Sequence, residues 1–206
     1  MRADRMLLWT IDETAGVDAA WISATTGRLA ADGRAAGLRP RPYWLTYRLE
    51  TGDAWVTSRM IVDARWVDGM ASLDLRNEAG HWTVDGVARP DLDGALDCDL
   101  AACPLTNTMP IRRHGLHERP GDVRFRMAFI EVPDLRVVVS HQRYTHVRAI
   151  QGGGAIVRYR SGSFESDLTV DADGFVVDYP QLGRRISPGP PVDGIRAAGP
   201  GSARPG

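Results

Sequence analysis

Lysine is missing from this sequence: all 25 basic residues among its 206 are arginine. Without an ε-amino group there is no Schiff-base nucleophile and no lysine to cradle a nucleotide's phosphates, so both chemistries are excluded. Cysteine is scarce as well. Cys98 and Cys103 stand five apart, which matches neither a CxxC redox pair nor a four-ligand zinc site, and both read as buried reduced thiols. No apolar run approaches the roughly 18 residues of a membrane-spanning helix. The short run Met6 to Trp9 is soon followed by Asp12 and Glu13, too brief for the h-region of a secretory signal, and no nearby cysteine offers a lipid anchor. The chain is therefore read as cytoplasmic, with no stable membrane anchor. Net charge is almost nil, 25 basic against 26 acidic residues, which removes the general attraction expected of a nucleic-acid binder.

Catalytic and metal motifs are absent too. Arg160 to Phe164 lacks the flanking glycines of a serine nucleophile elbow. Gln151 to Gly154 lacks the spacing of a dinucleotide-binding loop and reads as a flexible connection. Gly115 interrupts His114 and His117, and His141 and His146 fall on opposite faces of one expected strand, so no metal site is expected. Asp97 and Asp99 share a face at strand spacing, an arrangement that serves acid–base chemistry when the two pKa values are driven apart. Among so many arginines, ion pairs to Arg112 or Arg113 are the expected role. The chain is read as a non-enzyme that needs no cofactor.

What the sequence does have is alternation. Tyr43, Leu45, Tyr47 and Leu49 share one face of a strand against Trp44, Thr46 and Arg48, and Val123, Phe125, Met127 and Phe129 repeat the pattern against Arg124, Arg126 and Ala128. Strands are expected near 6–11, 17–25, 28–34, 42–50, 55–63, 70–76, 81–87, 95–99, 122–132, 136–147, 155–161, 164–170 and 175–179. Asp-Gly pairs at 32–33, 68–69, 85–86, 93–94 and 173–174 supply the positive φ of tight hairpins, and several of them are expected to be turns. The exception is Leu105 to Gly115, where Thr and Asn precede a proline and a glycine closes the run, predicting a short helical turn near 106–114. The fold class is therefore mainly all-β and antiparallel, one domain over 1–186. Residues 187–206, rich in Pro, Gly and Ala, read as a disordered tail.

Charge is uneven along the chain. Residues 1–110 hold 11 arginines against 16 acids, and residues 111–160 hold 10 against 4. A solvated outer face paired with neighbouring carboxylates is the favoured reading of that basic stretch. Six tryptophans, Trp9, Trp21, Trp44, Trp55, Trp66 and Trp82, all lie in the first half, and spacing alone does not separate core rings from the wall of a cavity.

The segment Leu96-Asp-Cys-Asp-Leu-Ala-Ala-Cys-Pro-Leu-Thr-Asn-Thr-Met-Pro-Ile-Arg-Arg113 resembles the signature of the putative glycolipid-binding family. Glu131 to Leu135, Gln142-Arg-Tyr144, Leu168 to Asp171 and Val177 to Leu182 followed by Arg184-Arg185 agree with it in order. The resemblance implies a long antiparallel sheet curled into an incomplete barrel, similar to lipoprotein-carrier half-barrels, with an apolar interior for an amphipathic ligand such as a glycolipid. Matching to the signature makes Asp97, Asp99, Asn107, Thr108, Arg112, Arg113, Arg143, Tyr144, Asp178 and Tyr179 the candidate ligand-binding residues. Two competing readings are a hydrolase-like enzyme using Asp97 or Asp99 and a partner-binding β scaffold.

Overall fold

The structure, a computed structural model, describes residues 3–186; the expected tail at 187–206 lies outside the described residues. Fifteen strands form one sheet. They are β1 (Ala3–Ile11), β2 (Gly16–Thr25), β3 (Arg28–Gly37), β4 (Tyr43–Thr51), β5 (Thr57–Trp66), β6 (Gly69–Glu78), β7 (His81–Val84), β8 (Val87–Ala88), β9 (Asp97–Leu100), β10 (Asp122–Ile130), β11 (Val137–Ala149), β12 (Ala155–Ser161), β13 (Phe164–Val170), β14 (Val176–Tyr179) and β15 (Gly183–Arg185). The order is two meanders, β8 back to β1 and β15 back to β9, joined where β1 pairs with β15. The sheet is not closed into a barrel, and β8 and β9 are its edges.

All pairings among the described residues are antiparallel except β9 with β10. A parallel pair needs a crossover, because the chain must return to the starting end before the second strand begins. Residues 101–121 make that return. They contain a 3-10 turn at Pro104–Asn107 and one short helix, α1 (Thr108–Arg113), where the helical turn was expected. The edge strand β9 is also tied to the start of β5: Thr57 N donates to the Leu96 carbonyl at 3.0 Å, and Cys98 N donates to Thr57 Oγ1 at 3.2 Å.

Alternation places the faces as expected. In β4, Tyr43, Leu45, Tyr47 and Leu49 are buried while Trp44 and Arg48 are exposed. Trp9, Leu45, Leu49, Met60, Leu75 and Trp82 belong to one continuous apolar cluster. Side chains therefore fill the inner face of the first meander, as packing at interior density requires. The tryptophans divide: Trp9, Trp55 and Trp82 are buried, whereas Trp21 and Trp44 are 64% and 50% exposed.

Of these five Asp-Gly pairs, those at 85–86 and 173–174 lie in hairpin turns, while at 68–69 only Asp68 is in the turn and Gly69 opens β6 opposite Trp66. At Asp85-Gly86 both residues are left-handed, φ 51° and 80°, and this turn splits the expected strand 81–87 into β7 and β8. Asp93-Gly94 instead leads through a loop into β9. Asp32-Gly33 lies inside β3 and is not a turn. Gly33 faces Tyr47 across the pairing, and a Cβ there would sit 2.0 Å from the Tyr47 ring, so the glycine is present to admit the ring. The strand β15 had no expectation, because three residues with two arginines carry no alternation; its pairing with β1 and β14 makes it a strand.

The ring that Gly33 admits holds a buried acid. The Tyr47 hydroxyl donates to Asp18 Oδ1 at 3.1 Å, and Asp18 Oδ2 is buried without a hydrogen-bond partner. Burial pushes the Asp18 pKa from 3.8 to about 7. Below 3.8 the folded and unfolded forms are both protonated and carry no penalty. As pH rises from 3.8 to about 7, the unfolded chain ionises first and stability falls, and above that range the loss is constant. Asp18→Asn therefore leaves stability nearly unchanged near pH 4 and raises it at pH 8 by up to ~4 kcal/mol, read from urea unfolding at the two pH values. In the same assay Gly33→Ala destabilises by about 1–3 kcal/mol through overpacking against Tyr47.

Candidate functional site

The crossover brings polar side chains against the inside of the second meander. From β9, Asp97 and Asp99 enter the interior, and both are buried. Asp97 is held by Arg113 of α1 in a two-pronged pair: Arg113 Nη1 donates to Oδ1 at 2.9 Å and Nη2 donates to Oδ2. This is the arginine partner expected for that carboxylate. Asp99 has no such cation. Its Oδ1 accepts from Thr106 Oγ1 at 2.7 Å and its Oδ2 from Gln142 Nε2 at 2.6 Å. Burial raises the Asp99 pKa, with the neighbouring Asp97 charge acting in the same direction, against the lowering effect of the two hydrogen bonds.

The network continues inward. The Tyr144 hydroxyl donates toward Asn107 Oδ1 at 2.8 Å and lies 3.1 Å from Gln142 Oε1, while Asn107 Nδ2 donates to the Pro104 carbonyl at 3.4 Å. Thr108 is fully buried, and its hydroxyl has no partner. Cys98 and Cys103 are free and buried, as expected; burial pushes the Cys98 thiol up to about 12, which removes it as a nucleophile at neutral pH.

Above this floor lies a cavity of about 260 Å³. It is lined by the polar Glu13, Asp99, Asn107, Ser140 and Ser161, by the rings of Phe129, Tyr159, Phe164 and Tyr179, and by Leu100, Ala101, Ala102, Cys103 and Leu182. Tyr159 sits at the centre of the ring cluster, with centroids 5.2 Å from Tyr144, 5.9 Å from Phe164 and 5.9 Å from Tyr179. Edge-on ring contacts of this kind fix the aromatic faces in place.

The ten residues chosen from the sequence divide by position. Asp99, Asn107 and Tyr179 line the cavity, Tyr144 lies beneath it, and Asp97, Thr108 and Arg113 brace the crossover. Arg112 turns to the opposite end of α1 and lines a different pocket. Arg143 alternates with Tyr144 to the outer face, where its Nε donates to Asp122 at 2.7 Å. Asp178 alternates with Tyr179 in the same way and does not line the cavity. The sequence reading did not single out Thr106, Ser140, Gln142, Tyr159, Ser161 or Phe164. Alternation was the available signal: Ser140, Gln142 and Tyr144 share one face of β11, so choosing Arg143 beside Tyr144 joined opposite faces. Among the described residues no cluster of three or more His, Cys, Asp or Glu could hold a metal ion, and no helix is long and apolar enough to cross a membrane.

Comparison with known proteins agrees with the resemblance. The family described as putative glycolipid-binding matches residues 6–185. A crystal structure of a DUF1089 family protein from Pseudomonas aeruginosa is 33% identical, covers 83% of this chain and 92% of its own, and superposes with a TM-score of 0.70. A β-barrel-like protein of domain of unknown function DUF1849 from Brucella abortus is 8% identical over 89% of this chain and 94% of its own, with a TM-score of 0.43. No curated protein matches.

Removing one member of a buried ion pair strands the other, so Arg113→Met destabilises the fold by about 3–5 kcal/mol. Adding Asp97→Asn to that variant restores much of the loss, because no uncompensated carboxylate then remains inside. Urea unfolding of the two variants against the parent reads both effects.

Proposed function

The chain belongs to the putative glycolipid-binding family, and we propose that it binds an amphipathic glycolipid through the sugar, without catalysis. One observation carries this reading: the cavity is lined both by the rings of Phe129, Tyr159, Phe164 and Tyr179 and by the polar Asp99, Asn107, Ser140 and Ser161. A sugar ring has apolar C–H faces and hydroxyl edges, and needs both kinds of wall. At about 260 Å³ the cavity is slightly smaller than the ~300 Å³ at which pockets for drug-sized ligands begin. That space suits a single sugar ring better than a pair of acyl chains. Along the inner face of the first meander, buried side chains such as Trp9, Leu49 and Met60 pack against one another. The acyl part of the ligand then lies outside the cavity.

A glycoside hydrolase is the second reading, and it has one observation in its favour: two carboxylates, Asp99 and Glu13, line the cavity. Hydrolysis of a glycosidic bond uses such a pair across the scissile bond. Against it, both Asp99 oxygens are occupied by Thr106 and Gln142, which leaves the group poorly placed to pass a proton to a ligand. Asp97, sealed by Arg113, is placed for neither role.

Native mass spectrometry of the purified protein, challenged with a glycolipid and with the diacylglycerol of the same chains, tests the proposal. Retention of the glycosylated species alone is the expected outcome, with Tyr159→Ala and Tyr179→Ala each weakening it about tenfold, or ~1.4 kcal/mol. An apo mass under both challenges counts against sugar binding, and release of free sugar in the same tube moves the assignment to the hydrolase.

A further inference from the structure

A second pocket, of about 400 Å³, lies at the other end of α1. Arg5 near the start of β1 lines it, whereas Glu13, just past the end of β1, lines the first cavity. The six residue steps of β1 from Arg5 to Ile11 span roughly 20 Å, which sets the two pockets toward opposite ends of that strand. Arg112 dominates this second pocket. Its guanidinium lies 4.1 Å from the centroid of the Trp55 ring and 5.9 Å from that of Phe175. Arg112 Nη1 donates to the Asp173 carbonyl at 2.6 Å, and among the described residues the side chain forms no ion pair.

The other charges of the pocket are matched. Arg5 covers Phe175 at 4.2 Å and pairs with the Asp173 carboxylate at 3.1 Å. His117, which is buried, faces Glu118 at 3.3 Å. Arg112 is thus the cation left without a carboxylate, beside a second guanidinium that shares the Phe175 ring. Its neighbour Arg113 shows the contrast, being consumed by Asp97 in the interior.

Backbone strain sets the seat of Arg112. Ala54 and Trp55 are both left-handed, with φ of 53° and 62°, a conformation disfavoured for any residue with a Cβ and most for a bulky ring. Strain of this kind persists only where the surroundings over-determine it. Here it sets the indole 4.1 Å from a guanidinium that has no ion-pair partner among the described residues, and arginine free of a carboxylate suits planar or tetrahedral oxyanions.

We propose that this pocket binds a small oxyanion, a phosphate or a carboxylate, on the Arg112 guanidinium, with the Thr25 and Thr26 hydroxyls of the same wall as further donors. The site is separate from the sugar cavity, and neither requires the other.

Calorimetric titration of the whole protein with inorganic phosphate, with acetate and with acetamide tests it. Saturable binding of at least one oxyanion is expected, with no response to the neutral acetamide, and whether phosphate or acetate binds more tightly identifies the group. Arg112→Gln reduces that affinity at least tenfold, while Arg48→Gln, which removes an outer-face arginine paired with Asp32, leaves it unchanged. Should Arg112→Gln fail to fold, the side-chain Nε resonance of Arg112 in the parent protein must shift on titration. Silence from both oxyanions, equal binding by acetamide, an unchanged affinity in a folded Arg112→Gln, or an unmoved Nε resonance overturns the assignment.

Discussion

Two carboxylates on an edge strand have been taken out of water, and the middle of the molecule is arranged around that fact. A buried carboxylate must be paired or hydrogen-bonded, because desolvation without compensation raises the energy of the charged form by several kcal/mol. Asp97 obtains a guanidinium and Asp99 obtains a hydroxyl and an amide. Two of these three partners, Arg113 and Thr106, come from the crossover between β9 and β10. The third, Gln142, comes from β11, so the same bonds that satisfy the acids tie the crossover to the sheet.

That tie decides what space remains. With α1 held against the sheet, the two pockets lie toward opposite ends of β1. The first is ringed by tyrosines and floored by amide, hydroxyl and carboxyl groups; the second holds an arginine stacked on an indole. Their chemistries differ because different neighbours complete them. β10–β14 supply rings and serines at one end, and the 53–55 and 173–174 turns supply Trp55 and the Asp173 carbonyl at the other. The inner face of the first meander is packed by Trp9, Leu45, Met60 and Trp82. Family and fold agree with the resemblance.

Much of this was legible in the sequence. Period-two alternation located the longer strands and the buried face of β4, because a pleated strand sends successive side chains to opposite sides whatever it pairs with. Asp85-Gly86 and Asp173-Gly174 marked real turns. Asp32-Gly33 misled for a physical reason: glycine also serves where a ring from the next strand needs the space of a Cβ, and Tyr47 is distant in sequence. The candidate site was partly legible. Asp97, Asp99, Asn107 and Tyr144 do converge, whereas Arg143 and Asp178, each next in sequence to an inward-facing tyrosine, fall on the opposite face.

By itself the sequence determined the strand class, the faces of the long strands, the helical interruption and the family, since each depends on local pattern or on a contiguous motif. Tertiary structure alone decided the parallel pairing of β9 with β10, the existence of β15, and the division of Arg112 and Arg113 between two different ends of the molecule. Neighbours in sequence on a short helix point in different directions, and which partner each one meets is settled only when a strand 16 residues away and a turn 61 residues away close around it.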